Sequence, residues 1–204
     1  MQNQYTYDVT MFRETFETRF TYLNGFLRNV TRFGSRPALH DPLSGRRWTY
    51  AQLNAEANRL AHALRADGVG KNDVVMFTLL NSPEFVFCYL AAHKVGAIAC
   101  PVNYRQGAGE IALVIDDSRP KAFIYDAEFG ELSGGALEMC EHQPARVVMV
   151  SYKGDAAAPA GHTSYADYVA GQPETDPPID FAPHIYDETT RLYTSGTTNR
   201  PKGV

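Results

Sequence analysis

Asp73-Val-Val-Met-Phe-Thr-Leu-Leu80 is apolar at odd and even positions alike, and it runs into Asn81-Ser-Pro-Glu84 and then Phe85-Val-Phe-Cys-Tyr-Leu-Ala-Ala-His-Lys-Val-Gly96. A strand with hydrophobic side chains on both faces has to be covered on both, which is the situation of a parallel strand inside an α/β layer. Within 81–84 stand a cap residue, a proline for the first turn and an acid that complements the helix dipole. Phe85, Val86, Tyr89 and Leu90 then recur at helical spacing, and Gly96 offers the stop. Ala97 to Val102 reads as a second strand.

The same unit extends in both directions. Upstream, Thr49-Tyr-Ala-Gln52 has the form of a capping box, with Leu53, Ala57, Leu60 and Leu64 on one helical face and Gly68 as a left-handed stop. Downstream, the spacing predicts a helix over Gly109–Asp117, a strand over Lys121–Asp126, a helix over Glu131–His142 and a strand over Arg146–Val150. Strands that alternate with helices of this length imply a mainly parallel sheet flanked by helices. Gly154 to Pro183 changes character: it holds five of the 12 prolines and reads as an irregular connection with one short helix near Ser164–Ala170. A last strand is expected near Thr189–Tyr193.

Composition bounds the function. The chain has 204 residues, 44% of them hydrophobic and 21% charged, with a formal net charge of −4. That excludes a disordered or low-complexity chain, and with no basic run it excludes nucleic acid as an expected partner. The three cysteines, Cys88, Cys100 and Cys140, are far apart and form no C-x-x-C pair, and the six histidines show no zinc spacing. Met1 to Asp8 lacks the layout of a signal peptide, and His93, Lys94 and Gly96 interrupt the one membrane-like window. The expectation is a cytoplasmic protein without a transmembrane segment.

One segment names a chemistry. Leu192-Tyr-Thr-Ser-Gly-Thr-Thr-Asn-Arg-Pro-Lys-Gly-Val204 gathers the hydroxyls of Thr194, Ser195, Thr197 and Thr198, the close backbone approach that Gly196 allows, and the charge of Lys202. Hydroxyl donors and a lysine make a wrapper for phosphate oxygens, because hydrogen bonds to an anion are the stronger kind. It is not a Walker loop, which would need glycine at Pro201 and a hydroxyl at Gly203. The expected form is strand–loop–strand.

Tyr193-Thr-Ser-Gly-Thr-Thr-Asn-Arg-Pro-Lys-Gly203 resembles the phosphate loop of the adenylate-forming (AMP-binding) superfamily, which contains the acyl- and aryl-CoA synthetases, adenylation domains and luciferases. Trp48-Thr-Tyr-Ala-Gln-Leu-Asn54 resembles that family's opening helix, and Glu84 to Asn103 its next helix–strand unit. The resemblance runs from about Arg36 to Val204. It implies an ATP-dependent carboxylate–CoA ligase (an acyl-CoA synthetase) with ATP, Mg2+, CoA and a carboxylic acid as its small molecules. By position, Thr194, Ser195, Gly196, Thr197, Thr198 and Lys202 would hold the β- and γ-phosphates, with Thr194 also touching magnesium. Asn199 stands where the family carries glycine, and asparagine enters the left-handed region more readily than most side-chain-bearing residues.

The resemblance also implies an organisation: an N-terminal helical segment over 1–35, an α/β layer over 36–153, a Pro-rich connection over 154–188, and a strand with phosphate loop over 189–204. On this reading the chain is the N-terminal part of the AMP-binding domain. It is truncated before the C-terminal domain, holds no catalytic residue and is inactive alone. The alternatives are a carrier-loading adenylation domain and a stand-alone non-catalytic module of the same fold. A truncated chain is also expected to leave its last strand without a hairpin partner and to self-associate through apolar surface.

Other residues carry plainer expectations. Phe12, Phe16, Phe20, Tyr22 and Phe26 at helical spacing predict a packing face rather than an acyl tunnel. His62 and His93 lie within helices as packed or solvated side chains. Asp116 and Asp117 are adjacent on a helix and point apart, so they form no catalytic pair. Asn103-Tyr-Arg105 follows a strand end, where α/β sheets present ligand contacts.

Overall fold

A computed structural model describes residues 8–194 and 202–204. The chain opens with helices α1 (Val9–Arg19) and α2 (Tyr22–Phe33), capped by the side chains of Asp8 and Thr21. Next comes an antiparallel hairpin of β1 (Pro37–His40) and β2 (Arg47–Thr49), which the sequence patterning did not announce. Its turn is organised by Asp41, whose carboxylate accepts from the amides of Leu43 and Ser44 and, at 2.7 Å, from the hydroxyl of Tyr152. The Ser44 hydroxyl, which also donates to this carboxylate, and then those hydrogen bonds draw the Asp41 carboxyl down to about 2.

Helix α3 (Tyr50–Ala66) starts with the expected capping box: the Gln52 amide donates to the Thr49 hydroxyl at 3.3 Å, and the Thr49 amide donates to the Gln52 side chain at 2.9 Å. It ends in a Schellman motif. Val69 N–H reaches Leu64 C=O at 3.0 Å and Gly68 N–H reaches Arg65 C=O at 2.9 Å, with Gly68 at φ +77°.

The sheet then follows: β3 (Val74–Thr78), α4 (Pro83–Lys94), β4 (Ile98–Pro101), α5 (Ala108–Ser118), β5 (Ala122–Asp126), α6 (Gly130–Met139), β6 (Arg146–Val150), β7 (Thr163–Ser164) and α7 (Tyr165–Val169). Five parallel strands lie in the order β4-β3-β5-β6-β7. All five residues of β3 and all five of β5 are buried. Their side chains alternate between two cores. Val75, Phe77 and Ile124 face α3 and α4, while Val74, Met76, Phe123 and Tyr125 share a cluster with α5 and α6.

Several expectations are corrected. Helix α6 stops at Met139, three residues before the predicted His142, because Cys140 turns extended and the Asp116 carboxylate takes the amides of Glu141 and His142, each at 2.8 Å. Ser82 occupies the N-cap position of α4 without a side-chain cap bond. The α1 aromatics are not a packing face. Phe12, Phe16 and Phe20 are exposed and touch one another, Phe12 tilted against Phe16 at 4.3 Å and Phe16 stacked on Phe20 at 4.6 Å, and of the five only Phe26 is buried. Their spacing of four serves ring-to-ring contact along the helix itself.

The last strand does not lack a partner: β8 (Tyr193–Thr194) pairs antiparallel with β9 (Lys202–Gly203). Before it, Thr189–Arg191 bonds to the outer edge of β4 instead of forming the strand predicted there. Ala99 N–H donates to Thr189 C=O and Arg191 N–H donates to Ala99 C=O, both at 2.9 Å.

The Pro-rich connection is laid on the helices by polar contacts. Asn58 donates to Glu174 C=O at 2.6 Å, Asn54 to Asp176 Oδ1 at 3.1 Å, and His62 Nε2 to Thr175 C=O at 2.9 Å. Lys94, only 2% exposed, meets Asp176 Oδ1 at 2.6 Å and lies over the Phe26 ring. Burial pulls the Lys94 ammonium below its ordinary pKa, and Asp176 opposes that pull. Asp176 itself is exposed, so removing it leaves the buried ammonium without its partner, which costs more than replacing that ammonium by an apolar stem. Asp176→Ala should therefore destabilise the chain by about 2 kcal/mol, and Lys94→Met by about 1 kcal/mol or less. Urea denaturation of both variants checks the order, and equal losses would contradict it.

Candidate functional site

The candidate site is the β8–β9 hairpin and the chain that delivers it. Thr189 C=O accepts two bonds, from Ala99 N–H at 2.9 Å and from His93 Nε2 at 3.0 Å. The Arg191 guanidinium then lies on Glu188, with Nε at 2.6 Å and Nη2 at 2.8 Å from its two oxygens. Leu192 and Val204 exchange both backbone hydrogen bonds, at 2.9 and 2.8 Å. Beyond them, Tyr193 stands opposite Gly203 and Thr194 opposite Lys202.

Each of these positions has a local reason. The Tyr193 ring packs against the α5-side core, and its hydroxyl donates to Asp117 Oδ2. Burial, followed by that bond, raises the Tyr193 pKa well above the ordinary tyrosine value. Gly203 fits because a Cβ there would sit 3.3 Å from Tyr193 Cζ and 3.3 Å from Arg191 Cδ, tighter than side chains tolerate without movement. Thr194 and Lys202 are exposed, and Lys202 has no ion-pair partner among the described residues. The pair therefore sets a hydroxyl and an unneutralised cation side by side at the two ends of the loop. Ser195, Gly196, Thr197, Thr198 and Asn199 lie outside the described residues.

The other candidates are engaged elsewhere. Asn103 Oδ1 accepts from the Arg105 amide at 3.0 Å, and the Tyr104 ring stacks on Phe129 at 4.7 Å with planes 7° apart, beyond the carboxyl ends of β4 and β5. Asp116 and Asp117 point apart as expected, one to the amides of Glu141 and His142 and the other to Tyr193. His62 serves the connection. No group of three or more His, Cys, Asp or Glu among the described residues could hold a metal ion, and no helix among them is long and apolar enough to cross a membrane.

The family profile described as AMP-binding enzyme matches residues 26–204. The chain belongs to that family. Among AMP-binding enzymes of known activity, a 3-hydroxybenzoate--CoA/4-hydroxybenzoate--CoA ligase of Thauera aromatica is 40% identical over 159 residues, 76% of this chain and 29% of that protein. A crotonobetaine/carnitine--CoA ligase of Escherichia coli is 34% identical over 179 residues, covering 84% of this chain and 33% of that one. The structure of an anthranilate CoA ligase in complex with anthranoyl-AMP superposes with a TM-score of 0.77 at 29% identity, over 89% of this chain and 33% of that chain. This AMP-binding chain thus spans about a third or less of the length of the curated relatives it matches.

His93 is the site residue that sequence reasoning passed over. Its signal there was only that of a helical histidine, whereas in the fold it holds the carbonyl of Thr189 at the start of the delivered segment. Nε2 must carry the proton to donate, which leaves Nδ1 buried without a hydrogen-bond partner among the described residues, and burial lowers the pKa below the ordinary 6.5. The unfolded chain then takes up a proton near pH 6.5 that the folded chain refuses, so this residue's effect is to reduce stability as pH falls below that value toward the folded pKa. His93→Gln retains a donor without the titration. Denaturation of both proteins at about pH 7.5 and about pH 5.5 should show a smaller acid loss in the variant, and equal losses would refute the assignment.

Proposed function

We propose that this chain is the phosphate-binding part of an ATP-dependent carboxylate–CoA ligase that works through an acyl-adenylate. The observation that carries the reading is the register that sets Thr194 across from Lys202, which has no ion-pair partner among the described residues, at the ends of a segment containing Ser195, Gly196, Thr197 and Thr198. In the first step a carboxylate oxygen of the acid bonds to the α-phosphorus of ATP, and the bond from that phosphorus to the β-bridging oxygen breaks. Negative charge builds on the departing pyrophosphate. Lys202 and the hydroxyls of residues 194, 195, 197 and 198 hold the β- and γ-phosphates as that charge develops, where fixed donors lower the barrier. In the second step the CoA thiol takes the acyl group and AMP leaves.

Thr194 fits magnesium as a single hard oxygen ligand, because the described residues offer no cluster of acids and this ion is ordinarily shared with substrate phosphates and water. Bound there, it would neutralise part of the phosphate charge. The acid is proposed to be aromatic. The hydroxybenzoate ligase at 40% identity supports that class, as does the likeness to an anthranilate ligase. A carrier-loading enzyme would share the first step and differ in needing no CoA.

The assay is acid-dependent ATP–pyrophosphate exchange by the intact gene product, with hydroxybenzoates, anthranilate, carnitine and fatty acids as the panel. The expected result is exchange with an aromatic acid and CoA-dependent AMP release. Lys202→Ala should raise the KM for ATP roughly tenfold, the equivalent of one charge-assisted hydrogen bond, while leaving the KM for the acid unchanged. No exchange with any acid would overturn the ligase reading.

A further inference from the structure

We propose that Asp117 is a positioning residue for the phosphate loop, tying the loop's stem to the last turn of α5 through the Tyr193 hydroxyl and so fixing where Thr194 and Lys202 stand. The inference rests on the reading of residues 194–202 as the ATP-phosphate loop.

Four observations carry it. First, β8 and β9 have two residues each, and so short an isolated ribbon does not hold its own position. Second, the backbone bonds to Ala99 end at Arg191, so beyond that point the hairpin depends on its side chains. Thr194, Lys202, Gly203 and Val204 are all exposed, and among the described hairpin residues Tyr193 is the one packed on the core. Third, its hydroxyl ends on Asp117 Oδ2, and the opposite position is a glycine whose missing Cβ leaves room for the ring.

The fourth observation concerns the helix. α5 ends at Ser118, so Asp116 and Asp117 both lie in its last turn, where a negative charge opposes the helix dipole. Asp116 has a structural task in accepting the two amides after α6. Asp117 is exposed, and among the described residues its one side-chain hydrogen bond is to Tyr193. A carboxylate placed against the dipole and spent on the loop's stem is explained by the stem.

The test uses the intact protein and four variants: Tyr193→Phe, Asp117→Ala, the double variant and Asp117→Glu. In ATP–pyrophosphate exchange each of Tyr193→Phe and Asp117→Ala should raise the KM for ATP about five- to tenfold with the KM for the acid unchanged. The double variant should be no worse than either single, and Asp117→Glu should recover part of the loss. Additive losses, or a fall in melting temperature and kcat with an unchanged KM for ATP, would overturn the proposal. If the unaltered protein shows no exchange with any acid, the ligase reading fails by itself. The tether is then judged by amide hydrogen exchange at Leu192 and Val204. Faster exchange in both single variants supports it, and unchanged exchange overturns it.

Discussion

The structure depends on β3 being enclosed on every side. Its five residues are buried, its edges are bonded in parallel to β4 and β5, and its alternate side chains enter two separate cores. A strand in that position cannot exist without helices on both faces, so α3 and α4 on one side and α5 and α6 on the other follow from one short apolar run. The sheet's order reverses between β3 and β5, since β3 hands the chain to β4 on one side and β5 returns on the other. Of the sheet's two outer edges, that of β4 is where Ala99 bonds to Thr189 and Arg191, so covering that edge and delivering the hairpin are one event.

The parts legible in the sequence were those specified locally. The Thr49–Gln52 capping box, the Gly68 stop, Pro83 at the head of α4 and the doubly apolar strands all encode their conformation within a few residues, and each formed where its pattern placed it. What the pattern hid was specified at a distance. The β1–β2 hairpin relies on Asp41 reaching Tyr152, far along the chain, and β7 exists because Thr163 and Ser164 find the free edge of β6. The α1 aromatics show the converse: their helical period was read correctly, but a period says that a face exists and not what lies against it.

The site divides in the same way. The hydroxyls, glycine and lysine proposed for it are a matter of residue type and order, which the sequence carries by itself. The groups that hold the hairpin could not be read that way. His93 looks like any helical histidine, and Asp117 like half of an acidic pair. Lys94 stands out in the sequence only as a charge that breaks an apolar window, and the fold buries it beside Asp176 and the Phe26 ring. Residues at the end of α4 thus fix the connection at both 176 and 189, and one helix terminus controls the path of the segment leading to the hairpin.

The exchange of both backbone hydrogen bonds between Leu192 and Val204 has a thermodynamic consequence. Bringing the ends of a flexible segment together costs entropy, and that cost is ordinarily charged to whatever closes it. Here Leu192, Tyr193 and Thr194 are already joined to Val204, Gly203 and Lys202 across the hairpin. The cost of joining those ends is therefore met by the pairing of the flanking residues themselves.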